Sequence, residues 1–170
     1  MAVTKYSYYV VGKKPELVIG NMWDSYDDII QDDGRFLVTT NSYINKDGNL
    51  AMGKGIAGEA AQRFPDLRAQ AGHFVRYRCG HLGEYGVILQ PHNIMPVGLF
   101  QTKAHFKYPS MMELVENSAR ILAVYAENTR ARRFHVNFPG IGYGGLPKGA
   151  VLSVLMDTLP SNVCIWELPT

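Results

Sequence analysis

Short apolar segments with strand character alternate with longer segments of helical periodicity along most of this chain. A chain with this order buries its strands in a sheet that helices cover on both faces. We therefore expect an α/β fold, specifically a three-layer α/β/α sandwich with a mixed sheet of about six strands. The strand-like segments lie at residues 6–11, 16–20, 36–40, 87–89, 94–100, 134–138 and 163–168. The first of these is expected at a sheet edge.

The clearest helical pattern covers residues 110–125. Ser110 and Glu113 have the spacing of a capping box, in which a serine side chain and a glutamate three residues later satisfy the first free amides of a helix. Apolar and small side chains then recur on one face at Leu114, Val115, Ser118, Ile121, Leu122 and Tyr125. Further helices are predicted at residues 55–64, at 67–75 and after Pro147.

Composition narrows the class of protein. The 170 residues are 46% hydrophobic and 19% charged, which fits one folded domain over residues 1–170 and excludes a largely disordered chain. The net charge of +2 is too small to indicate nucleic-acid binding by charge alone. Cys79 and Cys164 are too few for a disulfide framework and lack metal-ligand spacing. No apolar run reaches membrane-spanning length, so we expect a cytoplasmic protein. We also expect a monomer that needs neither a metal nor a cofactor.

Two glycine-containing loops follow predicted strands. Residues 41–57 are first polar, then contain Gly53 and Gly55, and then open a helix, whose free amides suit an anion. An ordinary strand-to-helix turn explains the same residues equally well. Residues 138–147 contain four glycines in six positions and precede a helix, which favours a ring of backbone amides around phosphate oxygens.

A third loop, residues 101–110, mixes basic and aromatic side chains directly after a strand. Lys103 and His105 are its candidate chemical groups. A lone lysine at a strand end is more often simply solvated, and a lone histidine is more often structural, so the spacing by itself leaves both interpretations open.

These three loops, in this order, resemble those of macrodomains. The strings that carry the likeness are Met-Gly-Lys-Gly-Ile-Ala at residues 52–57, Thr-Lys-Ala-His at 102–105 and Pro-Gly-Ile-Gly-Tyr-Gly-Gly-Leu at 139–146. They are most similar to the branch that contains terminal ADP-ribose protein glycohydrolase and the DNA ADP-ribosyl glycohydrolase antitoxin DarG. The resemblance covers about residues 17–168.

The resemblance implies a ligand site. It places the distal ribose of ADP-ribose against the first loop, the diphosphate in the glycine loop, and a lysine beside the anomeric carbon. It therefore implies Lys103 and His105 as catalytic residues. The implied ligand-binding residues are Asn21, Asn41, Gly53, Lys54, Gly55, Ile56, Gly142, Tyr143, Gly144 and Gly145.

Two departures from the family pattern bear on function. Gly20 is followed by Asn21 where macrodomains usually carry an aspartate that accepts from the adenine amine, and an amide oxygen is the weaker acceptor. The glycine loop ends in Gly144-Gly145-Leu146-Pro147, with no carboxylate. The resemblance thus implies an ADP-ribosyl glycohydrolase acting on ADP-ribosylated protein or DNA. The alternatives are a non-catalytic ADP-ribose reader, and a binder or phosphatase of a related nucleotide such as ADP-ribose phosphate.

Overall fold

A six-stranded sheet runs through the middle of the molecule. The computed structural model describes residues 14–170, so the predicted strand at residues 6–11 lies outside the described residues. Within the described part, the strands are β1 (Glu16–Ile19), β2 (Arg35–Thr40), β3 (Val87–Ile88), β4 (Gly98–Gln101), β5 (Phe134–Asn137) and β6 (Val163–Glu167). The α-helices are α1 (Tyr26–Gln31), α2 (Gly55–Arg63), α3 (Leu67–Arg78), α4 (Met112–Asn128) and α5 (Lys148–Thr158). Short 3-10 helices cover Met22–Ser25 and Gly142–Gly144.

The strand order is β1-β6-β5-β2-β4-β3. Each neighbouring pair is parallel except β3 and β4, which are antiparallel with Val87 opposite Phe100. The predicted mixed sheet of about six strands is therefore confirmed. Because five strands are mutually parallel, their carboxyl ends lie at one edge of the sheet, and the segments that follow them are neighbours there.

Helices cover both faces of the sheet, which confirms the three-layer architecture. Phe36 and Val38 of β2 pack in one apolar cluster with residues of α1, α2 and α3, whereas Leu37 packs in a second cluster with α4 and α5. Both faces of the central strands are therefore buried, since Leu37 of β2 and His135 of β5 are 0% and 1% exposed.

The predicted helix after Ser110 is present, but the predicted capping box is wrong. The helix begins at Met112, with Met111 as its N-cap and no side-chain cap hydrogen bond. Ser110 lies one residue earlier, is buried, and donates its backbone N–H to the Gly144 carbonyl over 2.9 Å. Ser110 is thus occupied by the contact between two loops, and that contact outweighs the local capping preference.

One further expectation changes in detail, because the strand expected over residues 94–100 is shorter and covers Gly98–Gln101. Just before β5, Arg132 pairs with Asp33, and Arg133 is buried and bonds Glu16 Oε2 at 2.8 Å. A buried guanidinium needs such a partner, because an unpaired charge in the interior is costly. No helix within residues 14–170 has both the length and the apolar composition of a membrane span.

Candidate functional site

Three loops meet at the carboxyl edge of the sheet. Residues 41–54 follow β2, residues 102–111 follow β4 and residues 138–147 follow β5. Since β5, β2 and β4 are consecutive in the sheet, these loops are spatial neighbours, as their positions after strands predicted. Asn21 follows β1 at the same edge but two strands away from β5.

Backbone hydrogen bonds join the first loop to the third. The Ser42 N–H donates to the Ala104 carbonyl over 3.2 Å, and the Thr102 N–H donates to the Thr40 carbonyl over 3.0 Å. The Ser110–Gly144 bond joins the third loop to the glycine loop. The loops that carry the sequence motifs are therefore tied to one another, and the position of Lys103 is set from both sides.

Gln101, which sequence reasoning missed, organises the base of the site. Its side chain is fully buried at the end of β4. Its Nε2 donates to Ser42 Oγ at 3.2 Å and to the Lys103 carbonyl at 3.3 Å, and its Oε1 accepts from the Tyr85 N–H at 2.8 Å. The sequence signal that could have pointed to Gln101 is a long amide side chain at the end of an apolar strand. Two of its partners, Ser42 and Tyr85, however, lie 59 and 16 residues away in the chain.

Lys103 lies next to this network and is partly buried. Burial lowers the pKa of the Lys103 ammonium, because desolvation disfavours its charged form. The ion pairs formed between residues of the 14–170 range do not include Lys103. A lysine in such surroundings has a larger neutral fraction than a solvated one and can act as a nucleophile.

His105 lies in a tight turn beside Lys103. Its Nδ1 accepts from the Lys107 N–H over 3.0 Å, and the Tyr108 N–H donates to its carbonyl over 3.1 Å. Its ring centroid is 4.8 Å from that of Tyr43 and 4.7 Å from that of Phe106. These contacts use one ring nitrogen to hold the turn. They suit a positioning role, and its participation in catalysis stays a prediction.

Tyr43 is the centre of an aromatic cluster that the sequence did not reveal. Its ring meets those of His81, His105 and Phe106 edge-on, with centroid distances of 4.8, 4.8 and 4.9 Å. His81 also accepts from the Ile44 N–H through Nδ1 at 2.9 Å. The cluster supports the first and third loops with rigid side chains. Its members lie on three separate segments, so spacing along the chain gave no signal.

The glycine loop has the backbone conformation that its composition predicts. Gly140, Gly142 and Gly145 have φ angles of +77°, +66° and +73°, a region that glycine occupies without strain. Gly144 differs, because its amide donates to the Ile141 carbonyl and a Cβ on it would lie 2.3 Å from Ser110 Oγ. Gly144 therefore packs against the third loop, and its predicted contact with phosphate stays a prediction.

The first loop and the glycine loop approach each other at Tyr143. Lys54 Nζ lies 5.9 Å from the Tyr143 ring centroid, and a Cβ on Gly55 would lie 3.7 Å from the ring. Tyr143 is 75% exposed, so most of its side chain is open to solvent. Lys54 is the N-cap of α2, and Ile56, in the first turn of that helix, is partly buried against the core. Gly53, with φ +28°, precedes them.

Asn41 and Asn21 each form a local turn. Asn41 is buried, donates from Nδ2 to the Ala51 carbonyl at 2.8 Å and accepts from the Tyr43 N–H at 3.0 Å. Asn21 is exposed and caps the first 3-10 helix by accepting from the Trp23 N–H at 3.0 Å. Asn21 therefore retains an exposed amide, whereas Asn41 mainly shapes the first loop. Among residues 14–170, no group of three or more His, Cys, Asp or Glu is placed to hold a metal ion.

Comparison with known proteins identifies a relative that is similar in sequence to this chain. No family model matches the chain. It is 31% identical over 122 residues to the DNA ADP-ribosyl glycohydrolase of Thermus aquaticus, an alignment that covers 68% of this chain and 33% of that protein. This chain thus spans about a third of the length of that relative.

Solved structures show the same architecture. The macrodomain of Thermus aquaticus DarG is 26% identical, with a TM-score of 0.61 and coverage of 91% of this chain and 97% of that one. Thermosipho africanus DarTG in complex with ADP-ribose is 20% identical, with a TM-score of 0.64 and coverage of 95% and 44%. At 20% identity the likeness shows the fold alone.

Proposed function

Since the chain belongs to the macrodomain family, we propose that it binds ADP-ribose between its three carboxyl-edge loops and removes ADP-ribose from DNA. The observation that carries this proposal is the convergence of Lys103, the Lys54–Tyr143 contact and the positive-φ glycines at one edge of the sheet. The Thermus aquaticus relative, named as a DNA ADP-ribosyl glycohydrolase, favours DNA over protein as the modified target.

The proposed chemistry centres on Lys103. Its neutral amine attacks the anomeric carbon of the distal ribose, a bond from Nζ to that carbon forms, and the bond to the nucleobase breaks. The base leaves with the bonding electrons and takes up a proton released from the nitrogen of the adduct. The oxygen of a water molecule then bonds to the anomeric carbon as the bond from that carbon to Nζ breaks, and the proton that the water loses passes to Nζ, which frees ADP-ribose and restores the neutral lysine. The lowered pKa of Lys103 supports this role, because only the unprotonated amine is nucleophilic.

One observation favours a second candidate function. Residues 101–111 and 138–147 contain no Asp or Glu, so neither segment supplies a carboxylate as general acid or base. A protein that only reads ADP-ribose needs none. The enzyme proposal therefore depends on Lys103 more heavily than it would in a site with a carboxylate.

The test is single-turnover release of ADP-ribose by wild type, Lys103→Ala and Lys103→Arg. The substrates are an ADP-ribosylated single-stranded oligonucleotide and a glutamate-linked ADP-ribosyl peptide. We expect Lys103→Ala to slow release by about 10³-fold while ADP-ribose affinity, measured by calorimetry, falls less than about tenfold. Arginine keeps the charge without the nucleophile, so Lys103→Arg should be as slow as Lys103→Ala.

Each contrary result is informative. Equal release by wild type and Lys103→Ala would remove Lys103 from the mechanism. Tight ADP-ribose binding with no release from either substrate would establish the reader instead. If another nucleotide binds more tightly than ADP-ribose, the result would favour the alternative in which Asn21 recognises a base other than adenine.

We further propose that the protein acts as a monomer in the cytoplasm. Cys79 and Cys164 are both unpaired thiols in the structure, which suits a reducing compartment. Size-exclusion chromatography with light scattering tests the oligomeric state, and a dimer at micromolar concentration would contradict it.

A further inference from the structure

Exposed aromatic side chains follow Lys103 in the third loop. Phe106 is 39% exposed and Tyr108 is 64% exposed, and Lys107 lies between them in the chain. We call these three residues the aromatic ridge. Large apolar rings at the surface, next to a candidate active site, favour a binding surface over chance exposure.

The ridge is held in place by the contacts of its turn. Phe106 stacks on the His105 ring at 4.7 Å with an interplanar angle of 27°, and its edge meets Tyr43 at 4.9 Å. The Tyr108 ring lies 4.8 Å from that of His105. Such rings lose little conformational freedom when a ligand stacks on them, so the contact is well organised before binding.

The surroundings of the ridge are basic. Lys107 Nζ lies 5.9 Å from the Phe106 ring centroid. The loops 41–54 and 102–111 together contain four lysines and one acidic residue, namely Lys46, Lys54, Lys103 and Lys107 against Asp47. Although the whole chain carries only +2, these two loops are locally cationic and suit a polyanion.

We propose that the aromatic ridge stacks unpaired nucleobases that flank the modified nucleotide of a single-stranded nucleic acid, while Lys107 contacts the phosphate backbone. The proposal rests on the proposed function and specifies how that site recognises its substrate. Proteins that bind single-stranded nucleic acids combine aromatic rings with lysines, because every unpaired base can stack on a ring and every phosphate in the backbone carries a negative charge. A duplex keeps its bases stacked on one another, so it offers these rings no face.

The first experiment measures binding of an unmodified single-stranded oligonucleotide of about ten nucleotides by fluorescence anisotropy. Wild type, Tyr108→Ala, Lys107→Ala and a control, Tyr77→Ala, are compared. Tyr77 is a tyrosine of α3 that is 89% exposed. We expect Tyr108→Ala to weaken binding about tenfold and Tyr77→Ala to leave it unchanged. Lys107→Ala should also reduce the slope of log affinity against log salt by about 0.7.

The second experiment measures release of ADP-ribose from the modified oligonucleotide and from the ADP-ribosylated nucleoside alone. Tyr108→Ala should raise the half-saturating oligonucleotide concentration about tenfold and leave release from the nucleoside unchanged, because the nucleoside has no flanking bases. An equal loss on both substrates would overturn the proposal. So would an equal loss on the glutamate-linked peptide, which would indicate a peptide surface.

The two proposals fail separately. If the wild-type protein removes ADP-ribose from DNA but Tyr108→Ala and Tyr77→Ala bind the oligonucleotide equally well, the ridge proposal is wrong and the enzyme proposal stands. If the wild-type protein binds the oligonucleotide through Tyr108 but releases no ADP-ribose, the ridge proposal stands and the enzyme proposal is wrong. Folding of each variant is checked by its thermal midpoint.

Discussion

Two asparagines at strand ends, Asn21 and Asn41, each shape a backbone turn, but they differ in whether the amide is still accessible to a ligand. Each accepts a backbone N–H two residues further on, from Trp23 and Tyr43 respectively, and so turns the chain away from its strand. The Asn41 amide serves only the structure of the first loop, because it is buried and also donates to the Ala51 carbonyl. Asn21 is exposed, so its amide can serve both the turn and a ligand.

The Asn21→Asp variant tests whether that amide meets adenine. A carboxylate still accepts from the Trp23 N–H and sits well at a helix start, so the fold should be unaffected. If the side chain accepts from the adenine amine, ADP-ribose affinity should hold or rise by up to about tenfold, because a charged acceptor forms the stronger hydrogen bond. Calorimetry with ADP-ribose and with its non-adenine analogues measures this. A drop in ADP-ribose affinity would mean that Asn21 reads another base.

At the scale of elements, glycines let helices approach the first loop closely. A Cβ on Gly58 of α2 would lie 2.2 Å from the Gly53 carbonyl, and one on Gly72 of α3 would lie 2.0 Å from the Gly48 carbonyl. No side chain fits at such distances, so both helices rest on the loop backbone itself. The positions of Gly53 and its neighbours therefore depend on the packing of α2 and α3.

The Gly58→Ala variant probes this packing. Displacement of the Gly53 carbonyl should lower the free energy of unfolding by about 1–3 kcal/mol and weaken ADP-ribose binding, because the loop moves. Gly149→Ala is the matched control, since Gly149 lies in α5 and a Cβ on it meets nothing within 4 Å. That change should be neutral or stabilising by up to about 1 kcal/mol. Urea denaturation and calorimetry measure both quantities, and a folded Gly58→Ala protein with full affinity would place Gly53 outside the ligand site.

At the scale of the whole molecule, a buried histidine in the middle of the sheet makes stability depend on pH. His135 of β5 is 1% exposed and accepts from Trp166 Nε1 of β6 at 3.0 Å. Burial, and then the nearby Arg133 guanidinium, lower the pKa of His135 from 6.5 to about 3. The folded protein therefore keeps this ring neutral at pH values where the unfolded chain protonates it.

The sign of the pH effect follows from that difference. The unfolded state binds an extra proton below pH 6.5, so acidification towards pH 3 favours unfolding by up to about 1.4 kcal/mol per pH unit. We expect wild type to lose about 2 kcal/mol more than His135→Asn between pH 7 and pH 5, because the amide does not titrate and can still accept from Trp166. Urea denaturation at both pH values measures this. Parallel losses in the two proteins would show that His135 is charged in the folded state.

The sequence alone was enough to predict the mixed three-layer architecture, the three loops at one edge and the order of strands and helices within the described residues except α1, a helix of six residues that was not predicted. Those features follow from local properties. Hydrophobic periodicity sets element type, glycine and proline mark the turns, and parallel strands bring their carboxyl ends together whatever their order. Lys103 was singled out for this reason, since it lies in a loop directly after a strand, whereas Lys54 and Tyr143 were implied by the resemblance to macrodomains.

Only the tertiary structure decided which side chains meet across those loops. Ser110 has the sequence of a cap but contacts Gly144, and Gln101 joins Ser42, Tyr85 and the Lys103 backbone. Tyr85 and Ser42 lie 16 and 59 residues from Gln101 along the chain, and Ser42 becomes its neighbour because β2 and β4 are adjacent in the sheet. Strand order is set by how the helices share both faces of the sheet, a competition among long-range contacts that no local pattern encodes.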